Sequence, residues 1–310
     1  MLFKDHIRLD PAYRDALRSC GLLRVENILA RVDGRIVAWS RSTDTLHVPG
    51  PPGSPGFYLK RYLYPTWRKR VRTMLRGTFF GIHRGQAEYD ALQAMRALGI
   101  NAVRPAACGA RRTWHFVTAC FLITEEVPEA RNLTTFARDV LSGRQPLTRP
   151  ARLEMMTALA RQAAEMHAGC FSHGQLFWRN ILVRHGWDGR PEFFFLDAQP
   201  LPPWRRLGPG PTWWQRELAH LTVSALRFTT RTDRLRFFLH YLGAGRLTPQ
   251  AKADVRLIAA YARQWHRHER QRIKMNDLFE LWNRQLEREL AHGVPAEATT
   301  APAAGAGTAR

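Results

Sequence analysis

The sequence is poor in cysteine: Cys20, Cys108, Cys120 and Cys170 are the four in 310 residues, and no two form a Cys-x-x-Cys pair. That spacing argues against a zinc ribbon or a disulfide framework and points to buried free thiols in a reducing compartment. No run approaches the roughly 18 apolar residues that a bilayer-spanning helix needs. The first residues, Met1–Arg8, are polar and charged, unlike a secretory signal. The expectation is a cytoplasmic protein, with a membrane surface open as a partner. Acidic residues are scarce as well: 26 Asp and Glu face 47 Lys and Arg, a formal net charge of +21. Such a balance favours polyanions, whether nucleic acid, anionic lipid, phosphorylated glycan or nucleotide. Charge alone does not choose among them.

What is present is a globular composition. Hydrophobic residues make up 45% and charged residues 24%, enough for one large domain or two lobes sharing a core. Asp10–Leu23 has helical spacing with Asp10-Pro11 as a start signal. Ile28–His47 alternates in places, and Asp33-Gly34 predicts a hairpin turn within it. A Pro- and Gly-rich loop from Val48 to Gly56 leads to a short strand, Phe57–Lys60. Gly85–Leu98 and Leu153–His167 read as helices, and Phe116–Glu126 as an apolar strand. Ile181–Val183 and Phe193–Leu196 read as strands joined through Gly186-Trp-Asp-Gly189. Past Trp213 the pattern is helical to about His292. The Ala, Gly, Thr and Pro that follow cannot bury a core, so the tail is expected to be disordered.

One segment carries the clearest chemistry: Ser172-His-Gly-Gln-Leu-Phe-Trp-Arg-Asn-Ile-Leu-Val183, followed by Phe193-Phe-Phe-Leu-Asp197. A kinase catalytic loop reads H-R-D-x-x-x-x-N, then strand, turn, strand and a metal-binding Asp. His173 fills the first position and Asn180 the last, and Asp197 ends the second strand. Adjacent hairpin strands can bring Asn180 and Asp197 to one spot, where their oxygens could hold Mg²⁺ against nucleotide phosphates. Upstream, Lys60 ends an apolar strand and Glu88 lies on the next helix, the pattern of a phosphate-orienting ion pair. No G-x-G-x-x-G precedes Lys60. Glu125, Glu126 and Val127 would form a hinge whose backbone pairs with adenine.

These features resemble the lipopolysaccharide-core kinase family, which includes the Kdo and heptose kinases, over about Arg14 to Leu242. The resemblance rests on Leu17-Arg-x-x-Gly21-Leu22, Phe57-Tyr-Leu-Lys60-Arg-Tyr, the basic Trp67-Arg-Lys-Arg70, Glu88-Tyr-x-Ala-Leu92 and Leu98-Gly-Ile100. It continues through His173-Gly, Asn180-Ile-Leu, Leu196-Asp197 and Arg216-Glu-Leu-Ala-His-Leu221. It implies an α+β, bilobal, protein-kinase-like fold. Residues 1–127 would form a β-rich N-lobe and 128–292 a helical C-lobe, with 293–310 as tail. It also implies ATP-dependent phosphate transfer to a sugar hydroxyl of a lipid-linked anionic glycan, the lipopolysaccharide inner core, on the inner face of the cytoplasmic membrane. Lys60, Glu88, Glu126 and Val127 would then bind the cofactor ATP, and Asn180 and Asp197 would bind Mg²⁺.

One departure bears on catalysis. Gln175 stands where the catalytic Asp belongs, and an amide cannot accept a proton as a base. His173 is the nearest alternative base. Three outcomes stay open: a slow kinase, a kinase using another base, or a pseudokinase that binds nucleotide and organises envelope assembly. A small-molecule phosphotransferase of the same fold is a further reading. The segment Arg61–Arg84 speaks against it, because it carries no acid and interleaves Arg68, Lys69, Arg70, Arg72 and Arg76 with aromatics. That mix suits an anionic membrane surface or a phosphorylated sugar. It would suit single-stranded nucleic acid too, but no nucleic-acid fold signature accompanies it, so nucleic acid is not the expected partner. Arg263–Lys274 reads as a solvated basic helix face.

Overall fold

The computed structural model describes residues 3–40, 42–66, 70–71, 82–114, 116–200 and 210–291; beyond residue 267, side chains are described only at Leu278, Leu281, Trp282 and Gln285. Most of the basic segment, at residues 67–69 and 72–81, and the tail lie outside these residues. Residues 1–266 form one compact unit; residues 267–310 form a second, whose described part, 267–291, is helical.

A six-stranded antiparallel sheet opens the first unit, in the order β1-β5-β6-β4-β3-β2. Its strands are β1 (Phe3–Leu9), β2 (Arg35–Ser40), β3 (Thr43–Val48), β4 (Phe57–Leu63), β5 (Pro105–Thr113) and β6 (Phe116–Glu125). Alternation along β4 and β6 gives the sheet two faces. Helices α1 (Arg14–Ser19) and α2 (Val25–Ala30) and the turn between them cover one, packing Leu17, Leu22 and Ile28 against Phe57, Leu59, Phe121 and Ile123. Each such buried side chain contributes about 1.5–3 kcal/mol as an upper value. Helix α3 (Arg84–Ala97) covers the other face with Tyr89, Leu92 and Met95 against Cys108 and Leu122.

The chain then becomes mostly helical: α4 (Leu133–Leu141), α5 (Arg149–Ala168), α6 (Trp213–Ala225), α7 (Arg231–Leu242) and α8 (Pro249–Ala291). A small sheet, β7 (Arg131–Asn132), β8 (Ile181–His185) and β9 (Pro191–Phe195), sits among them. It is tied to the large sheet's side by a bridge between Ala102 and Phe195. The α+β class expected from the sequence is present: strands with a helix first, helices carrying one hairpin second. Among the described residues, no helix is long and apolar enough to cross a membrane.

Three expectations are corrected here. β2 ends at Ser40 and β3 begins at Thr43, so Asp33-Gly34 does not turn this hairpin, and Ile28 belongs to α2. Gly34, at φ +130°, instead lets the chain enter β2 against the His47 carbonyl, which a Cβ would approach to 2.9 Å. The four cysteines are not all buried: Cys108 and Cys120 are, Cys20 is partly so, and Cys170 is exposed. Arg61 does not belong to a basic surface. It pairs with Asp44 at 2.8 Å, its partner across the strands, and donates to the Leu29 and Arg31 carbonyls at the end of α2. Alternation explains this: Lys60 and Tyr62 face α3, so Arg61 must face α2.

Candidate active site

Lys60 and Glu88 meet as their spacing predicts. Lys60 Nζ donates to Glu88 Oε1 at 2.9 Å and Oε2 at 3.0 Å, and to Asp197 Oδ1 at 2.8 Å. The Tyr62 hydroxyl, two residues on along the same face of β4, donates a short hydrogen bond to Glu88. Burial works against the Lys60 charge, yet Glu88 and Asp197 outweigh it and raise its pKa above the ordinary lysine value. Burial likewise works against the Asp197 carboxylate, but Lys60 and Gln199 prevail and hold it below the usual range. Glu88, 3% exposed, is pushed up by burial despite Lys60. Asp197 has φ +57°, a left-handed conformation that Asp tolerates better than most residues. The hydrogen bond from Leu196 N–H to the Asn180 carbonyl holds the preceding backbone in place.

The loop around residue 175 is shaped by a carboxylate from α6. Glu217, 1% exposed, accepts from Ser172 Oγ at 2.6 Å, His173 N at 3.1 Å, Gly174 N at 2.6 Å and His167 Nε2 at 3.0 Å. Burial would raise its pKa, but His167, His173 and Ser172 lower it. Gly174 has φ +77°, and a Cβ there would lie 1.9 Å from the Gln199 carbonyl. Asn180 Nδ2 donates to the Gln175 carbonyl at 2.8 Å. This fixes the amide with its donor inward and leaves Oδ1 without a hydrogen bond among the described residues. Asp197 Oδ2 is likewise without one. Two such oxygens, on residues joined through adjacent backbone, are a donor set that suits a hard divalent cation.

Residues 28–241, more than half of the chain, match the lipopolysaccharide kinase (Kdo/WaaP) family. The chain belongs to this family. The lipopolysaccharide core heptose(I) kinase WaaP of Pseudomonas aeruginosa is 26% identical over 200 residues, 56% of this chain and 73% of that protein. A solved structure of WaaP in complex with acyl carrier protein superposes with a TM-score of 0.58 at 20% identity, covering 85% of this chain and 98% of that one. The fold is therefore protein-kinase-like, and the chain is a phosphotransferase of the lipopolysaccharide kinase type, for which family membership implies ATP use. The family assignment favours the kinase over the pseudokinase.

Within this kinase, the remaining expected residues fall into place unevenly. His173 is 0% exposed, packed edge-on against Phe195, with Nδ1 accepting from Gln175 N at 3.3 Å. Burial lowers its pKa. A ring so enclosed cannot reach an acceptor hydroxyl, so the base role expected for His173 is withdrawn. The Gln175 side chain is half-buried and makes no hydrogen bond among the described residues. At the segment expected to form a hinge, the Glu126 N–H donates to the Gly56 carbonyl at 2.8 Å, and the Glu126 carboxylate accepts from Gly56 N and sits 2.9 Å from His47 Nε2. The Val127 carbonyl accepts from Ala130 N. The peptide between Glu126 and Val127 keeps its C=O and N–H unbonded among the described residues. Those two groups point opposite ways, so only one of them can face a base. Sequence reasoning missed Tyr62, Glu217 and Gln199. Glu217 lay in a quoted motif, but nothing local says that its carboxylate reaches a loop more than forty residues upstream.

Proposed function

We propose that this kinase transfers the γ-phosphoryl group of Mg²⁺·ATP to a sugar hydroxyl of a lipid-linked anionic glycan, the lipopolysaccharide inner core, at the inner face of the cytoplasmic membrane. The observation that carries this reading is the meeting of Lys60, Glu88 and Asp197, beside Asn180, in a chain of this family. In this reading Lys60 orients the phosphates, and Asn180 and Asp197 hold Mg²⁺, which supplies charge neutralisation when bound. The peptide at Glu126 and Val127 meets the nucleobase. The two lobes divide near residue 127.

Gln175 orients the acceptor hydroxyl by accepting its hydrogen bond and takes no proton. Phosphoryl transfer through a loose transition state leaves little for a base to do early. The proton can leave late, to a phosphate oxygen or to water. Asp197→Ala should keep the fold and lower ATP-dependent phosphorylation of core glycan by about 10³-fold, the scale for losing a group that positions transition-state charge. An Asp197→Ala enzyme with wild-type turnover would sink this assignment.

A separate observation favours a second contact. The helical part holds a cavity of about 990 Å³, lined by Phe136, Leu159, Trp178, Leu218 and Phe238 together with Arg152, Arg231 and Arg263. A single acyl chain fits such a space, and each buried methylene contributes about 0.8 kcal/mol. The solved WaaP is in complex with acyl carrier protein, and we carry over to this chain the binding of acyl carrier protein, with the cavity as the place for an acyl chain on it.

A further inference from the structure

The start of α3 is pressed onto β6. A Cβ at Gly85 would lie 2.2 Å from the Phe121 carbonyl, so only glycine allows this approach. His83, 3% exposed, caps the helix by accepting from Gln86 N at 3.1 Å. These two contacts fix the residue between them. The Arg84 guanidinium carbon lies 4.7 Å from the centre of the Tyr62 ring, and Lys60 Nζ lies 5.4 Å from that same ring. Burial opposes the Arg84 charge, but Tyr62, Asp197 and Glu88 outweigh it. Among the described residues the guanidinium has no ion pair and no hydrogen bond. Its contact is the ring face, and its edge stays open to solvent.

A cation in the first helical turn is opposed by the helix dipole, and the first turn of α3 holds no acid to offset it. The sequence groups Arg84 with a basic surface for anionic lipid or phosphorylated sugar, and the fold holds it beside the Lys60–Glu88–Asp197 cluster. The geometry points to Arg84 as a second phosphate-binding cation of this active site, contacting the transferring phosphoryl group. This inference rests on the kinase reading above. With Lys60 already shared between two carboxylates and Gln175 unable to act as a base, charge neutralisation by a planar, always-charged fork has more to supply.

The test compares wild type with Arg84→Ala and Arg84→Met, the latter keeping the packing on Tyr62 without the charge. Steady-state kinetics give kcat and KM for ATP, and calorimetry gives the affinity for Mg·ADP with and without aluminium fluoride. Both variants should lose about 10²-fold in kcat, the scale of one transition-state donor. They should bind Mg·ADP about as well as wild type and lose most of the extra affinity that aluminium fluoride confers. Equal losses for Mg·ADP with and without aluminium fluoride, or an unchanged kcat, would overturn the role of Arg84 alone. A wild-type protein that binds no Mg·ADP would overturn the kinase reading and this inference together.

Discussion

At the scale of single residues, Glu217 decides more than its position suggests. Its two oxygens serve four donors around residues 167–174, so the loop that leads to Gln175 hangs from one carboxylate. Glu217→Gln puts an amide donor against donors and leaves at least one buried N–H or O–H unmet, at a cost of about 1–3 kcal/mol. The variant should melt earlier and lose kcat more than KM for ATP; unchanged kinetics in the variant would contradict the loop's dependence on this residue. The sign of its pH dependence follows from its lowered pKa. The Glu217 contribution is fully present above the ordinary value of 4.5 and is lost as pH falls through the folded-state value. At this scale the sequence was informative where a spacing brings residues together, as for Lys60 and Glu88, which form the ion pair that Asp197 joins. It was silent where a partner comes from a distant helix, as Glu217 does. It misled at His173, because burial cannot be read from a motif.

Among the elements, α3 shows how a cap couples to pH. Burial, with Arg112 and His6 nearby, pushes His83 down to about 4 from 6.5. The unfolded chain therefore takes up a proton at this residue between pH 6.5 and 4 that the folded chain refuses. Stability at this site is complete above pH 6.5 and declines as pH falls toward 4, by a few kcal/mol at most. His83→Asn keeps an N-cap acceptor without the titration. Melting curves from pH 4 to 7 should be flatter for the variant than for wild type, and parallel curves would contradict this account. The elements also mark where sequence reading fails. β1 is an exposed edge strand, and β5 is built of Pro105, alanines, Cys108 and Gly109 with little intrinsic strand preference. β5 exists because it pairs with a strand of strong pattern, β6, and β1 because it pairs in turn with β5. At Gly109 a Cβ would lie 2.5 Å from the Phe121 ring, so packing rather than propensity chose the residue. Long, strongly periodic stretches such as α5, β4 and β6 were legible for the opposite reason.

For the whole molecule, the helical part combines the loop held by Glu217 with an apolar cavity lined by Phe193 and Trp178. Leu159→Trp should fill part of that space. If an acyl group occupies it, mass spectrometry of the purified wild type should reveal a bound acyl carrier or fatty acid, and the variant should carry less of it. Equal acyl content in both would argue against the cavity as the binding place. The net charge of +21 is only partly a partner signal, since Arg61 neutralises an internal Asp44 and caps α2, whereas Arg84 lies over the Tyr62 ring.

The fastening of α3 has one more consequence. Glu88 is held by two donors from one strand, Lys60 and Tyr62, and the helix that carries it begins where Gly85 leaves no space above Phe121. Swinging that helix outward would break both bonds and strand a buried carboxylate. The Lys60–Glu88 pair is thus clamped by the strand and by the helix start together. Gly85→Ala or Gly85→Arg would loosen that clamp from a place with no charge of its own.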